Sequence, residues 1–258
     1  AIANPHSKLL AKVAQLVGKV GHLESALQCG SGSVTLTVLR FGLYVQFRWE
    51  AACNAECTLL LDAEATRSLL GVLKQATDGF EVHGVDEGVA KLVWSSGELE
   101  LKTRSGEFLC VGFPARLVAR FEASAFPVLQ RVAKFANRSA WVNVFSYVRV
   151  TSTADAGELE VVATDRYKLA RERVRGGKLL ADEVLLQVEA LELALLSGAQ
   201  QLACYWEHHD GRAVCGFEAG DVRVWTVYTL QESFPEWDWA LPAGDFRAVV
   251  VDAGALAK

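Results

Sequence analysis

Few residues in this sequence have the type and spacing for covalent or metal chemistry. His208-His209-Asp210 is the one compact set of metal-ligand types. It precedes Gly211 and lies between two strand-like runs, which predicts a polar hairpin tip rather than a centre held on rigid elements. Thr164-Asp165-Arg166 offers a carboxylate, but at the end of a strand pattern, where Asp commonly bonds its own turn. The cysteines are Cys29, Cys53, Cys57, Cys110, Cys204 and Cys215; only Cys53 and Cys57 are close in sequence, with no CxxC and no His nearby. A structural zinc site takes about four ligands, so neither a metal nor a cofactor is expected, and the thiols are expected to be reduced and mostly buried. P-loop and GxSxG patterns are absent. A metal-dependent hydrolase is therefore the weakest functional reading, and the chain is expected not to be an enzyme.

The remaining candidates are cations in helical register. Lys8, Lys12 and Lys19 share one face of a helix expected over 6–20, while Leu9, Val13, Leu16, Val17 and Val20 share another. Arg67 and Lys74 share a face of a helix expected from Asp62, a suitable N-cap, to about Ala76. Arg131, Lys134 and Arg138 share a face of a helix expected over 123–138, and a fourth helix, over 188–197, carries Glu189 and Glu192 without a base. Stripes of this kind suit phosphate contacts that ignore base sequence. They also suit ordinary solvated helix faces.

Composition bounds these readings. With 51% apolar and 22% charged residues, the chain reads as an ordinary soluble globular protein. Its net charge of −5 excludes a protein that grips nucleic acid over its whole surface; if DNA is a partner, the cations must be concentrated on one surface of an acidic body. No apolar run is long enough to span a bilayer, and no signal peptide pattern is present, so the expectation is a cytoplasmic protein without membrane contact.

The elements that must position these residues repeat. After the first helix come strand patterns at Val34–Leu39 and Leu43–Trp49, the second helix, and strand patterns at Phe80–His83, Ala90–Trp94, Glu98–Thr103 and Phe108–Phe113, closing with Phe113-Pro114. The order then recurs: a strand at Leu117–Phe121, a helix, strands at Val144–Thr151 and Leu159–Thr164, a helix, and strands at Gln201–Glu207, Arg212–Glu218 and Val222–Leu230, closing with Phe234-Pro235. The two Phe-Pro marks stand 121 residues apart, which suits a duplicated domain. The expected class is α+β, with tandem domains at 1–116 and 117–242, each with two helices packed on antiparallel sheets. Phe246–Leu256 echoes the start of the second domain, so 243–258 is expected to open a third, incomplete here, in a longer natural chain. The alternative is a complete two-domain subunit that forms a trimer.

Two motifs carry a family resemblance. Val161-Val162-Ala163-Thr164-Asp165-Arg166-Tyr167-Lys168-Leu169-Ala170 resembles the Val-Ala-Thr-Asp-Gly-His-Arg-Leu-Ala segment in the middle domain of bacterial beta clamps, the beta subunits of DNA polymerase III. Ser233-Phe234-Pro235-Glu236-Trp237-Asp238-Trp239-Ala240-Leu241-Pro242 resembles the Phe-Pro-Asp-Tyr-Arg-Arg-Val-Leu-Pro segment that closes that domain. The resemblance implies the DNA-clamp fold: a ring of similar domains, helices lining the hole, sheets forming the outer shell, and self-association to close it. It implies double-stranded DNA as a sequence-independent partner, faced by Lys8, Lys12, Lys19, Arg67, Lys74, Arg131, Lys134 and Arg138. It also implies that DNA polymerase and clamp-loader subunits insert short linear peptides into a pocket matched by Val144, Thr164, Arg166, Tyr167, Lys168, Leu169, Pro235, Trp239 and Ala240. The family's Gly is Arg166 here, its His is Tyr167 and its second Arg is Trp239; these changes narrow or retune the expected pocket. A clamp-like regulatory homologue that binds such partners without encircling DNA is the principal rival.

Overall fold

The computed structural model describes residues 7–17, 23–30, 32–75, 79–86, 88–138, 143–209, 212–228 and 233–236. The first half runs α1 (Ser7–Val17), β1 (Glu24–Gly30), β2 (Ser33–Arg40), β3 (Leu43–Glu50), β4 (Cys57–Leu61), α2 (Ala63–Gln75), β5 (Phe80–Asp86), β6 (Val89–Trp94) and β7 (Gly97–Arg104). The second runs β8 (Leu117–Glu122), α3 (Phe126–Ala133), β9 (Tyr147–Ser152), β10 (Leu159–Thr164), β11 (Leu169–Val174), β12 (Gly177–Leu179), β13 (Glu183–Gln187), α4 (Val188–Leu195), β14 (Gln201–His209), β15 (Arg212–Ala219) and β16 (Val222–Tyr228).

Two antiparallel sheets result. One has twelve strands in the order β12-β8-β14-β15-β16-β3-β2-β1-β4-β7-β6-β5, and the other has four, β11-β10-β9-β13. The large sheet passes from one half to the other where β16 pairs with β3, from Val222 opposite Phe47 to Thr226 opposite Leu43. Strand alternation puts Leu43, Val45, Phe47 and Trp49 of β3 into the main core and sends Tyr44, Gln46 and Arg48 to the opposite face. Against the core face, α1 packs on α2, which lies on β1, β4 and β7; α3 lies on β9–β11; and α4 bridges α3, β13 and β15–β16. The apolar stripes do this: Leu9, Leu10 and Val13 of α1, Leu69, Leu70 and Leu73 of α2, and Leu191 of α4 are all buried. Asp62 caps α2 as expected, its Oδ1 accepting from the N–H of Glu64 (2.9 Å) and of Ala65 (2.8 Å).

Several sequence expectations need correction. Phe108–Phe113 is not a strand. Its β-forming residues dock on a sheet face instead of pairing at an edge: the connector crosses the β3–β16 seam on the side away from the helices, where Phe113 and Val111 pack with Tyr44, Val214 and Trp225. The helix expected over 123–138 starts with a 3-10 turn at Ala123–Ala125 and ends at Ala133, so Lys134 and Arg138 lie beyond it. The chain is drawn out of helical register there by the bond from Asn137 N–H to the Phe145 carbonyl (2.8 Å). Val144–Ser146 is a 3-10 turn capped by Asn143, not a strand start. The cysteines are all free, but only Cys204 and Cys215 are buried; Cys29, Cys53 and Cys57 are half-buried and Cys110 is exposed, because these four stand at strand ends or in connectors. Strands β1, β4, β11, β12 and β13 were not foreseen. Lys19, Trp239, Ala240 and the expected third unit lie outside the described residues.

Candidate partner pocket and basic helix faces

The turn between β10 and β11 is built by its own side chains. Thr164 Oγ1 donates to the Lys168 carbonyl (2.8 Å) and accepts from Arg166 N–H (3.1 Å). Asp165 Oδ1 accepts from the N–H groups of Tyr167 and Lys168, both at 3.0 Å, and its other oxygen lies 3.2 Å from Lys168 Nζ. Burial alone would raise the Asp165 carboxyl; the Lys168 and Tyr167 N–H groups and the Lys168 ammonium outweigh it and hold the group below its ordinary range. A carboxylate spent on its own turn is a structural residue, not a general base.

Beside this turn lies an apolar cluster. Val144, Val162 and Phe234 are buried together, with Phe145, Leu169 and Leu185 packed half-buried around them. Leu185, Arg149 and Val162 form one cross-strand row over β13, β9 and β10, on the sheet face opposite the one that holds Val161 and Ala163 in the main core. The rim is cationic. The Arg166 guanidinium sits 4.5 Å from the Phe145 ring centroid, Arg149 sits 5.9 Å from that of Phe234, and Lys168 Nζ is 5.9 Å from that of Phe135.

The fold thus brings Val144 and Leu169 together with Phe234, whose neighbour Pro235 is half-buried, and sets Arg166 over Phe145. Thr164 is buried in the turn, Lys168 lies at the Phe135 side, and Tyr167 stands out, 94% exposed. Sequence reasoning missed Phe145, Arg149, Val162, Leu185 and Phe234. Phe234 and Val162 were visible in the quoted motifs; Arg149 and Leu185 follow from the strand register, and Phe145 from the 3-10 turn at Val144–Ser146.

Arg166 adopts φ +83°, the left-handed region where the resembling motif has Gly. A non-glycine residue there costs about 1–3 kcal/mol, while an exposed cation–π contact returns about 0.5–1 kcal/mol. Arg166→Gly is therefore expected to melt no lower than the parent. Arg166→Ala, which keeps the strained backbone and loses the ring contact, should melt below both in thermal denaturation.

The basic residues do not share one fate. Lys8 and Lys12 are exposed on α1, one turn apart, on the flank beside Leu9 and Val13. On α2, Lys74 is exposed and Arg67 folds back, its Nε donating to the Ala63 carbonyl at 2.9 Å. Arg131 is held by both oxygens of Glu172 on β11, at 3.1 and 2.6 Å, and Arg138 pairs with Glu192 on α4. Glu189, the other acid of α4, pairs with Arg40 at 3.3 Å. Lys8, Lys12, Lys74 and Lys134 make no ion pair with a described residue. The hydrogen bond from Arg131 holds the Glu172 carboxyl below its ordinary value against the opposing effect of burial. What stability the pair adds is therefore present above the ordinary Glu pKa and is lost as pH falls through the lowered folded value. The partner acids come from distant elements, so the helix sequences alone could not reveal them.

Among the described residues, no group of three or more His, Cys, Asp or Glu is placed to hold a metal ion; His208 and His209 are paired along β14 with Ala213 and Arg212. No described helix is long and apolar enough to cross a membrane.

No protein-family model matches the chain, and no curated protein matches it by sequence. Solved structures do. The sliding clamp of Bartonella birtlesii (DNA polymerase III subunit beta), bound to griselimycin, matches with a TM-score of 0.72 at 17% identity over 95% of this chain and 68% of that one. The beta subunit of DNA polymerase III from Thermotoga maritima matches at 0.69 and 14%, over 93% and 66%. The Helicobacter pylori beta clamp bound to a DNA ligase peptide matches at 0.65 and 11%, over 94% and 70%. The chain spans about two thirds of the length of these structures. At such identities the likeness is one of fold, and this chain has the sliding-clamp fold seen in those bacterial DNA polymerase III beta subunits.

Proposed function

We propose that this chain is a sliding-clamp subunit, a non-catalytic cytoplasmic processivity factor that closes into a ring around duplex DNA and tethers partners through short peptides. The observation that carries this reading is the clamp fold over 95% of the chain. Clamp domains at 1–116 and 117–242 suit the repeated order of helices and strands. A ring retains DNA topologically and needs only weak, sequence-independent phosphate contacts. Lys8, Lys12, Lys74 and Lys134, which make no ion pair with a described residue, suit that role best; Lys19, Arg67, Arg131 and Arg138 complete the set. The cluster around Val144, Leu169 and Pro235, with Trp239 and Ala240 assigned by motif, is the seat for the apolar anchors of a polymerase or clamp-loader peptide. The DNA ligase peptide on the Helicobacter pylori clamp supports that mode.

The test is retention on DNA. The full-length protein, loaded on a nicked circular plasmid with its cognate loader and ATP, should co-elute with the circle in gel filtration and dissociate when the circle is linearised. A second reading, a clamp homologue that binds partners without encircling DNA, is favoured by one observation: Arg131 and Arg138 are already held by carboxylates. Peptide binding without retention on the circle would establish that reading instead.

A further inference from the structure

β1 and β4 run antiparallel with Cys29 directly opposite Cys57, two residues along from the pair Leu27 and Leu59. Both thiols thus extend the core-facing row to its half-buried margin. Residues directly opposite in an antiparallel ladder have Cα atoms about 4.5–5.5 Å apart, within the span of about 4.4–6.8 Å that a disulfide bridges. A third thiol stands close by. Cys53 Sγ donates to the Ser33 carbonyl at 3.4 Å, and Ser33 pairs with Gly30, the neighbour of Cys29. Cys204 and Cys215, by contrast, are sealed in the core.

We propose that Cys29 and Cys57 form a redox-modification site that takes a low-molecular-weight disulfide as oxidant and closes to a cross-strand disulfide. The Cys57 thiolate attacks one sulfur of the small disulfide, whose S–S bond breaks and releases one small thiol. Cys29 then gives up its proton and attacks the Cys57 sulfur, which releases the second small thiol. Two cysteine thiols are oxidised and one small disulfide is reduced to two thiols. Burial above all, and then the neighbouring Cys57 and Cys53, push the Cys29 thiol up to about 12, so closure, which needs the Cys29 thiolate, should quicken as pH rises. The bridge ties β4 to β1 at the strand end where Cys57 begins. β4's other neighbour, β7, meets it only at Leu60–Arg104 and Leu61–Thr103.

The experiment treats the full chain with oxidised glutathione at pH 9 and removes the excess. The expected product carries no glutathione on Cys29 or Cys57, yields a Cys29–Cys57 linked peptide lighter by about 2 Da than the two reduced peptides together, and melts roughly 5–10 °C higher until a reductant is added. Cys53→Ser should still close. Cys29→Ser should stop as the glutathione adduct of Cys57. A Cys53–Cys57 link, or Cys29 and Cys57 still open to alkylation after oxidation at pH 9, would overturn the proposal.

Discussion

Trp225→Ala is expected to destabilise the chain by about 3–5 kcal/mol, the range for removing a buried aromatic. Trp225 is 1% exposed. It stacks on Tyr44, ring centroids 4.9 Å apart and nearly parallel, and meets Phe113 edge-on at 5.7 Å. Its Nε1 donates to the Val111 carbonyl at 2.9 Å. Tyr44 and Trp225 are the facing residues of β3 and β16, so this one side chain joins the seam between the halves to the connector that straps it. The strap fits closely: a Cβ at Gly216 would come within 2.6 Å of Pro114 and 2.9 Å of Phe113. Urea unfolding measures the effect. A lower midpoint with an unchanged slope would show that the halves still unfold together; a second transition would show that the seam couples them. Trp225→Phe keeps the stack and loses the hydrogen bond, so it should cost only about 1 kcal/mol. A loss below that for Trp225→Ala would mean the strap contributes little.

The second large effect concerns binding. Leu169→Glu is expected to weaken a partner peptide by more than about 2 kcal/mol, roughly thirtyfold, since it puts a charge where an apolar anchor must be buried. Leu169 is half-buried beside Val144, Val162 and Phe234, so the glutamate can reach solvent and the fold should survive. Fluorescence anisotropy with a labelled peptide from a polymerase or loader subunit of the same organism measures the change, and circular dichroism confirms folding. An unchanged affinity would move the binding site away from this cluster. Tyr167→Glu, at a side chain that is almost fully exposed, should change affinity much less.

Much of the local structure was legible because it depends on near neighbours in sequence. The four-residue spacing of Leu9 and Val13 set the buried face of α1, and the same spacing one position earlier put Lys8 and Lys12 on its exposed flank. Asp62 announced the start of α2 through the N–H groups two and three residues on. Asp165 between Thr164 and Lys168 announced the turn that shapes the pocket edge. The motif around that turn, with Phe234-Pro235, was enough to anticipate the clamp fold.

What the sequence could not determine depends on residues far apart in the chain. Phe108–Phe113 has strand composition, yet β-propensity reports only a fit to a half-buried surface; only the tertiary structure offers it the face of Tyr44 and Trp225 to cover. The basic face of α3 reads as free charge until β11 and α4 bring Glu172 and Glu192 against Arg131 and Arg138, and a charge's availability to a phosphate depends on that pairing. Likewise Leu185 and Val162 become pocket residues, and Cys29 and Cys57 partners, only once strand register decides which side chains share a face.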